Sequence, residues 1–369
     1  MKIAIVCDDL IQFGGQERLV LALSDIWPNA PVYSSYISKK WQKILADKDR
    51  KYVTSFMQNL PFVEVFNRNY SVFLAHILAF ESFDFSEYDV VLSISSRYAH
   101  HVITKPTTKH VCYMNSPGRM FWESADYFAE EDLKKSRLTK RLFECFIAFP
   151  LNILRMLDYV AAQRVDVFIA NSRTPQERIK KYYQRDSEVA YPFADLDRFK
   201  VAKTFSEADY FMVVTRLAQW KRVDIAVQAC RRLGLKLKVV GDGPALGDLK
   251  KIADKNVEIL GWLDDTAVAK LYAESLAIIN TQCEDFGICP LEAMASGKPV
   301  IAYGKGGALE TVLAGITGEF FAKQTPESLM EVLKQFNSSK YNPEKCRNQA
   351  EKFSRKVFEQ SIKKVCGWN

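Results

Sequence analysis

The hydrophobic pattern changes period repeatedly along the chain. "KIAIVCD" (2–8) is a short apolar run rich in β-branched residues, and "FGGQERLVLALSDI" (13–26) turns at Gly14 and Gly15 into apolar positions three and four apart. This reads as strand, glycine turn, helix. "PVYSSYI" (31–37), "YDVVLSISS" (88–96) and "KHVCYMN" (109–115) read as further strands, and "VDVFIANS" (165–172) as a buried strand with a helix cap. The alternation implies a parallel, doubly wound α/β sheet.

A second βα series follows "AYPFADLDRFKVAKTFSEAD" (190–209). Its strands are "YFMVVTRL", "LKLKVVGDG", "VEILGWL", "LAIINTQ" and "PVIAYG", and its helices include "RVDIAVQACRRLG", "PLEAMASG" and "ALETVLAG". The boundary is placed near residues 188–207, giving a first domain over 1–190 and a second over 191–345. The segment 346–369 reads as helix that packs back on the first domain. A length of 369 residues suits two such cores, and two domains create a cleft.

One stretch departs from the repeat. "LKKSRLTKRLFECFIAFPLNILRMLDYVAAQR" (133–164) joins Lys134, Lys135, Arg137, Lys140 and Arg141 to a long apolar segment. A spanning helix needs about 20 mostly apolar residues, and Pro150 and Arg155 interrupt this one. Two readings stay open: a long core helix pair with a solvated basic start, or an interfacial segment drawn to an anionic membrane surface.

Apolar residues make up 48% and charged residues 26%, the proportions of a soluble globular chain. Lys plus Arg (51) exceed Asp plus Glu (44), for a formal net charge of +7. That excess favours anionic partners without choosing among them. The basic residues are spread among acids and no zinc-finger spacing or RNA-binding aromatic signature occurs, so nucleic acid is not expected. Eight cysteines lie scattered without a C-x-x-C, which fits a reducing compartment. "MKIAIVCDDL" has acids too early for a signal peptide, so the expected location is cytoplasmic.

The chemistry concentrates in "CEDFGICPLEAMASGKPVIAYGKGG" (283–307). Pro290 suits a first helical turn and Gly297 a helix end, which leaves Glu284 in a loop and Glu292 in the first turn of a helix. Ligands of open α/β sheets collect outside the carboxyl ends of the strands, so both glutamates should border one crevice. Gly306 and Gly307 precede another helix, where free N–H groups favour a phosphate. Arg216 and Lys221 follow "YFMVVT" and suit neutralisation of a diphosphate. A nucleoside diphosphate fits this set.

"TRLAQWKRVDIAV", "VVGDGP", "GWL", "EDFGICPLEAMASGKPVIA" and "GGALETV" stand in the order of the retaining glycosyltransferases of family 4, which the chain resembles over most of residues 211–318. "FGGQERLV", "CYMNSPGRMFW" and "RVDVFIANS" extend the resemblance to the first half, particularly to mannosyltransferases of bacterial surface polysaccharides. The resemblance implies the GT-B fold, two Rossmann-like doubly wound domains facing a central cleft, with acceptor binding in the first and nucleotide-sugar binding in the second. It implies catalytic roles for Glu284, on the sugar hydroxyls, and for Arg216 and Lys221, on the diphosphate. Glu292 would bind ribose; Phe286, Gly287 and Ile288 would offer backbone to sugar and phosphate. Gly241 and Leu263 would border the base, and Gly14 and Gly15 would admit the diphosphate. Ser96, Asn115 and Arg119 would contact acceptor or sugar.

The activity so implied is transfer of a hexose, mannose from GDP-mannose, to a lipid-linked saccharide on the inner membrane face. The alternative is an inactive homologue that binds a sugar nucleotide and scaffolds a polysaccharide complex. Asn115 stands where relatives commonly carry histidine, and it hydrogen-bonds without titrating. No metal or other cofactor is expected: Asp195-Leu-Asp197 resembles a D-x-D metal motif but sits in the interdomain connection, where a turn role is favoured. His76, His100, His101 and His110 are read as structural. "GDGPAL" has Leu246 in place of the third glycine of a dinucleotide fingerprint, against an NAD enzyme.

Overall fold

The computed structural model describes residues 1–124, 137–201 and 208–367, with backbone alone for residues 137–147, Arg68 and Val72. The chain forms two compact units: Met1–Ala190 joined by the chain from Glu359 onward, and Tyr191–Phe358.

The first unit is built on seven parallel strands, β1 (Ile3–Cys7), β2 (Val32–Ser34), β3 (Tyr52–Thr54), β4 (Val90–Ser95), β5 (Lys109–Met114), β6 (Val167–Ala170) and β7 (Ser187–Val189). Their order is β3-β2-β1-β4-β5-β6-β7. Every residue of β1 and β4 is buried, because parallel strands covered by helices on both faces need continuous apolar runs. The order reverses between β1 and β4, the switch point at which side chains at the strand ends diverge to leave a crevice.

The second unit repeats the plan with six parallel strands, β8 (Tyr210–Val214), β9 (Lys236–Val240), β10 (Val257–Gly261), β11 (Ala277–Asn280), β12 (Val300–Tyr303) and β13 (Gly318–Phe321). Their order is β10-β9-β8-β11-β12-β13, with the switch point between β8 and β11. The helix Val223–Leu233 buries Val223, Ile225, Ala226, Val227, Ala229 and Cys230 against one face of the sheet. Leu291, Ala293 and Met294 of the helix Cys289–Ala295 cover the other with Phe286.

The C-terminal residues divide between the units. Cys346, Ala350 and Phe353 pack in the core of the second unit, whereas the chain from Glu359 groups with the first, where the Lys109 ammonium donates to the Val365 carbonyl at 2.8 Å. Of the basic-apolar segment 133–164, Lys134 and Lys135 lie outside the described residues. The remainder corrects the expectation of a helix pair: one helix, Arg137–Gln163, runs through Pro150. Proline costs that helix one hydrogen bond and local crowding, which packing of Leu151, Leu154, Ala161 and Ala162 against the core offsets. Among the described residues no helix is long and apolar enough to cross a membrane.

All four histidines are buried in the first unit. His100 sits between Ser95 Oγ (2.9 Å) and Asp158 (3.1 Å), and Asp158 also accepts from Trp122 Nε1 (2.7 Å) and Tyr183 Oη (2.8 Å). Ligand atoms of His100, His101 and Asp158 lie within 4.8 Å of one another, a spacing compatible with an ion. The hydrogen bonds to Ser95, Trp122 and Tyr183 fix the positions of His100 and Asp158. Burial alone would raise the Asp158 carboxyl, but hydrogen bonds from His100 and His101 hold it well below the usual carboxylate range.

Burial pushes His101 down to about 4 and His110 down to about 3. Both are depressed below the unfolded value, so their contribution to stability is complete above pH 6.5 and is lost as pH falls towards those values. By pH 5 each should cost about 2 kcal/mol, because unfolded histidine takes a proton that the folded site refuses. Urea titrations at pH 7 and pH 5 measure this difference, and in His110→Asn the drop between the two should shrink by about 2 kcal/mol.

Candidate active site

The second unit's switch point gathers the cations and carboxylates singled out above. The loop leaving β8 carries Arg216 and then a single turn, Gln219–Lys221. Lys221 is buried, its ammonium forms an ion pair with Glu284, and it lies 4.0 Å from the centre of the Trp220 ring. The backbone carbonyl of Lys221 accepts from Thr281 Oγ1 at 2.9 Å, so both partners of the ion pair are fixed to the end of β11. Thr215 Oγ1 donates to Gln282 Oε1 at 3.1 Å and closes the same seam. Arg216 is exposed, and its guanidinium makes no hydrogen bond or ion pair among the described residues. A buried lysine committed to a carboxylate and a free guanidinium thus stand at one strand end.

Gly241 ends β9 with φ +135°, and its N–H donates to the Gly261 carbonyl at 2.8 Å. A Cβ there would meet the Thr215 carbonyl oxygen at 1.9 Å, so only glycine lets β9 press against the residue preceding Arg216. Leu263 and Ile288 pack at the edge of the core cluster that contains Phe286. Phe286 itself is buried, stacked on Tyr191 with ring centres 5.6 Å apart, so its ring anchors the loop. Gly287 lies against Glu284: a Cβ would come 2.8 Å from its Oε2.

Glu292 occupies the first turn of the helix Cys289–Ala295, as its spacing predicts, and is buried. The Tyr272 hydroxyl donates to its Oε2 at 3.1 Å. Burial, with the Glu292 charge adding to it, pushes the Tyr272 phenol well up, which keeps it a donor. Tyr272 lies 20 residues upstream in another helix, and nothing in the local pattern announces it.

The second glycine turn requires a correction. The Gly307 N–H is not free for a phosphate, because it donates to the Glu284 carbonyl at 2.9 Å. A Cβ on Gly307 would lie 2.1 Å from the Phe286 carbonyl oxygen, so this glycine serves close loop packing. The helix that follows, Ala308–Thr311, is a single turn.

In the first unit, the turn after β1 leads through Gly14 into the helix Gly15–Ile26. The Glu17 carboxyl is buried at that helix start; burial raises it and the backbone N–H groups of Glu17 and Gly14 oppose the rise. Ser96 Oγ donates to Gln16 Oε1 (2.7 Å), and Asn115 Nδ2 lies 3.3 Å from Ser96 Oγ and 3.4 Å from Gln16 Oε1. Ser96 and Asn115 are therefore together. Arg119 belongs to a different network, paired with Glu123 at 3.0 Å, which Arg178 also contacts at 2.7 Å.

Two residues at this switch point escaped the sequence reading. Asp8, buried at the end of β1, accepts backbone N–H groups from Ser96 (2.7 Å), Arg97 (3.1 Å), Tyr98 (2.9 Å) and Ala99 (2.8 Å). Asp9 faces Ser35 Oγ, His76 Nε2 (3.4 Å) and Arg97 (3.3 Å). Burial would raise the Asp9 carboxyl, but His76 and Arg97 hold it well below the usual range. The signal available was position: two acids directly after a buried strand, where α/β sheets place their functional groups.

Residues 196–353 match the family model described as "Glycosyl transferases group 1". The N-acetyl-alpha-D-glucosaminyl L-malate synthase of Bacillus anthracis is 33% identical over 156 residues, which cover 39% of this chain and 40% of that protein. The alpha-1,3/1,6-mannosyltransferase ALG2 of Saccharomyces cerevisiae is 24% identical over 237 residues, covering 50% of this chain and 46% of that protein. The matched regions thus span under half the length of these curated relatives. A solved structure of Anabaena Alr3699/HepE in complex with UDP superposes with a TM-score of 0.71 at 18% identity, covering 100% of both chains. At that identity the likeness speaks for the fold. Over residues 196–353, which hold Arg216, Lys221, Glu284 and Glu292, the chain carries the group 1 glycosyl transferase pattern, on the two Rossmann-like units of a GT-B fold.

Proposed function

We propose that the protein transfers a hexose from a nucleoside-diphosphate sugar, with retention at the anomeric carbon, to a lipid-linked or growing saccharide in surface polysaccharide or glycan biosynthesis. The donor in this reading is GDP-mannose, and the protein works in the cytoplasm at the inner membrane face. The observation that carries it is the Lys221–Glu284 ion pair beside the free guanidinium of Arg216 at the β8/β11 switch point. Likeness to the mannosyltransferase ALG2 supports mannose; the UDP held by the structural neighbour favours a uridine nucleotide as the second reading.

In the proposed step the bond from the anomeric carbon to the β-phosphate oxygen breaks. The acceptor oxygen bonds to that carbon on the same face, and the departing phosphate takes the acceptor's proton. Negative charge grows on the diphosphate, where Arg216 and Lys221 stabilise it. A salt-bridged carboxylate only accepts hydrogen bonds, so Glu284 receives the sugar hydroxyls and orients the ring. Glu292, held by Tyr272, receives the ribose hydroxyls. Gly241 and Leu263 border the base, and Gly287 and Ile288 give backbone contacts. In the first unit, Ser96 and Asn115 stand together and are the residues this reading offers to the acceptor.

Thermal-shift and calorimetric titration against GDP, UDP and ADP and their sugar conjugates, followed by donor hydrolysis, tests the reading. Binding with slow hydrolysis is expected for one nucleotide; binding without turnover, even with lipid acceptors, indicates the inactive scaffold. Glu284→Ala should lower transfer by about 100-fold or more while nucleotide affinity changes little. Glu292→Ala should weaken nucleotide binding by about tenfold. Normal turnover in both variants overturns the assignment. Because two side-chain cations are assigned to the diphosphate, turnover measured with and without EDTA should be equal, and a loss on chelation would show that a metal neutralises it instead.

A further inference from the structure

The helix Val63–Val72 and the residues flanking it expose large apolar side chains. Its inner positions, Val63, Asn67 and Ser71, are buried and two of them are polar. Phe62 and Phe73, which flank the helix, are 75% and 76% exposed, Val65 is 73% exposed and Phe66 is exposed where the helix kinks, beside the exposed Glu64 and Asn69. A surface helix ordinarily turns its apolar stripe to the core. The inner polar residues have a use, because the His76 ring bonds Asn67 Oδ1 (3.1 Å) and Ser71 Oγ (3.3 Å). Of the exposed phenylalanines, Phe62 and Phe66 meet edge to face with ring centres 6.4 Å apart.

Two more helices of this unit expose apolar side chains. Leu78 is exposed on the helix Ala75–Glu81, and that helix shares the core around Ile77, Phe80, Leu151 and Leu154 with the helix Arg137–Gln163. Phe149, Met156 and Val160 are exposed on the latter at spacings of seven and four, one helical face. Exposed apolar side chains of this size mark a candidate interaction site.

Charge beside it identifies the partner. Lys39, Lys40 and Lys43 are exposed on the helix Lys39–Asp47 and make no ion pair among the described residues. The start of that helix is tied to the apolar ledge by Ile37 N–H to Gln58 Oε1 (3.0 Å) and Tyr36 Oη to Glu64 Oε1 (2.9 Å). Protruding aromatic side chains next to ammonium groups match the boundary of an anionic bilayer, where rings enter the acyl edge and cations meet phosphates.

We infer that Phe62, Val65, Phe66 and Phe73, with Lys39 and Lys40, dock the first unit on an anionic lipid surface. This locates the membrane contact of the proposed function on a segment other than residues 133–164, and it rests on that reading. The test is sedimentation of the full chain with vesicles of phosphatidylcholine alone and with added phosphatidylglycerol, at low and high salt. Wild type should pellet with the anionic vesicles, less at high salt. Phe66→Ser/Phe73→Ser should reduce partitioning by about tenfold or more, and Lys39→Glu/Lys40→Glu should abolish the preference for anionic lipid. Both should keep wild-type donor hydrolysis and melting temperature. Wild-type binding that survives both double variants overturns the ledge and leaves the membrane reading with residues 133–164. Absence of wild-type binding, with donor turnover intact, overturns both membrane statements but not the transferase. Lipid-free self-association that Phe73→Ser abolishes would overturn the lipid partner in favour of a second copy of the chain.

Discussion

The second unit's site depends on one backbone contact, the Gly307 N–H donating to the Glu284 carbonyl. That bond brings the turn after β12 against the loop after β11, at a separation that leaves no room for a Cβ on Gly307. With its own carbonyl held, Glu284 directs its carboxylate at Lys221, and Lys221 is held in turn through its carbonyl by Thr281. The ion pair is therefore set by main-chain geometry before any ligand arrives, which is the condition for electrostatic stabilisation without reorganisation. Phe286, stacked on Tyr191 between the two fixed points, keeps the loop from relaxing.

The alternation of strands and helices was legible because buried parallel strands and amphipathic helices leave unlike periods in the chain. Glu284 and Glu292 were legible because Pro290 marks a helix start between them. The four N–H groups around Asp8 were not: they come from 88 to 91 residues away, and no local pattern records such a closure. Gly306 and Gly307 read as a phosphate turn because glycine before a helix has that use; the same residue type also serves close packing, and only the fold shows which. The helix Val63–Val72 shows a further limit. Its spacing gives no sign that Asn67 and Ser71 turn inward, where the buried His76 takes them up.

The two switch points have opposite electrostatic characters. In the first unit the chain's own carboxylate, Asp8, fills the cluster of backbone N–H groups, and Asp9 is braced beside it by His76 and Arg97. Such clusters of N–H groups ordinarily receive a phosphate or another anion. In the second unit Arg216 is left open to solvent, and Lys221 is balanced by a carboxylate. The same sheet plan thus yields one end already neutralised and one end receptive to negative charge.

The placement of the four histidines adds an asymmetry of another kind. All are sealed in the first unit, and the second contains none. Mild acid therefore bears on the two halves unequally: burial keeps His101 and His110 of the first unit from taking the proton that the unfolded chain takes, while the half that carries Lys221 and Glu284 has no histidine. A drop in local pH would act on this chain as a selective stress on one half, the first unit.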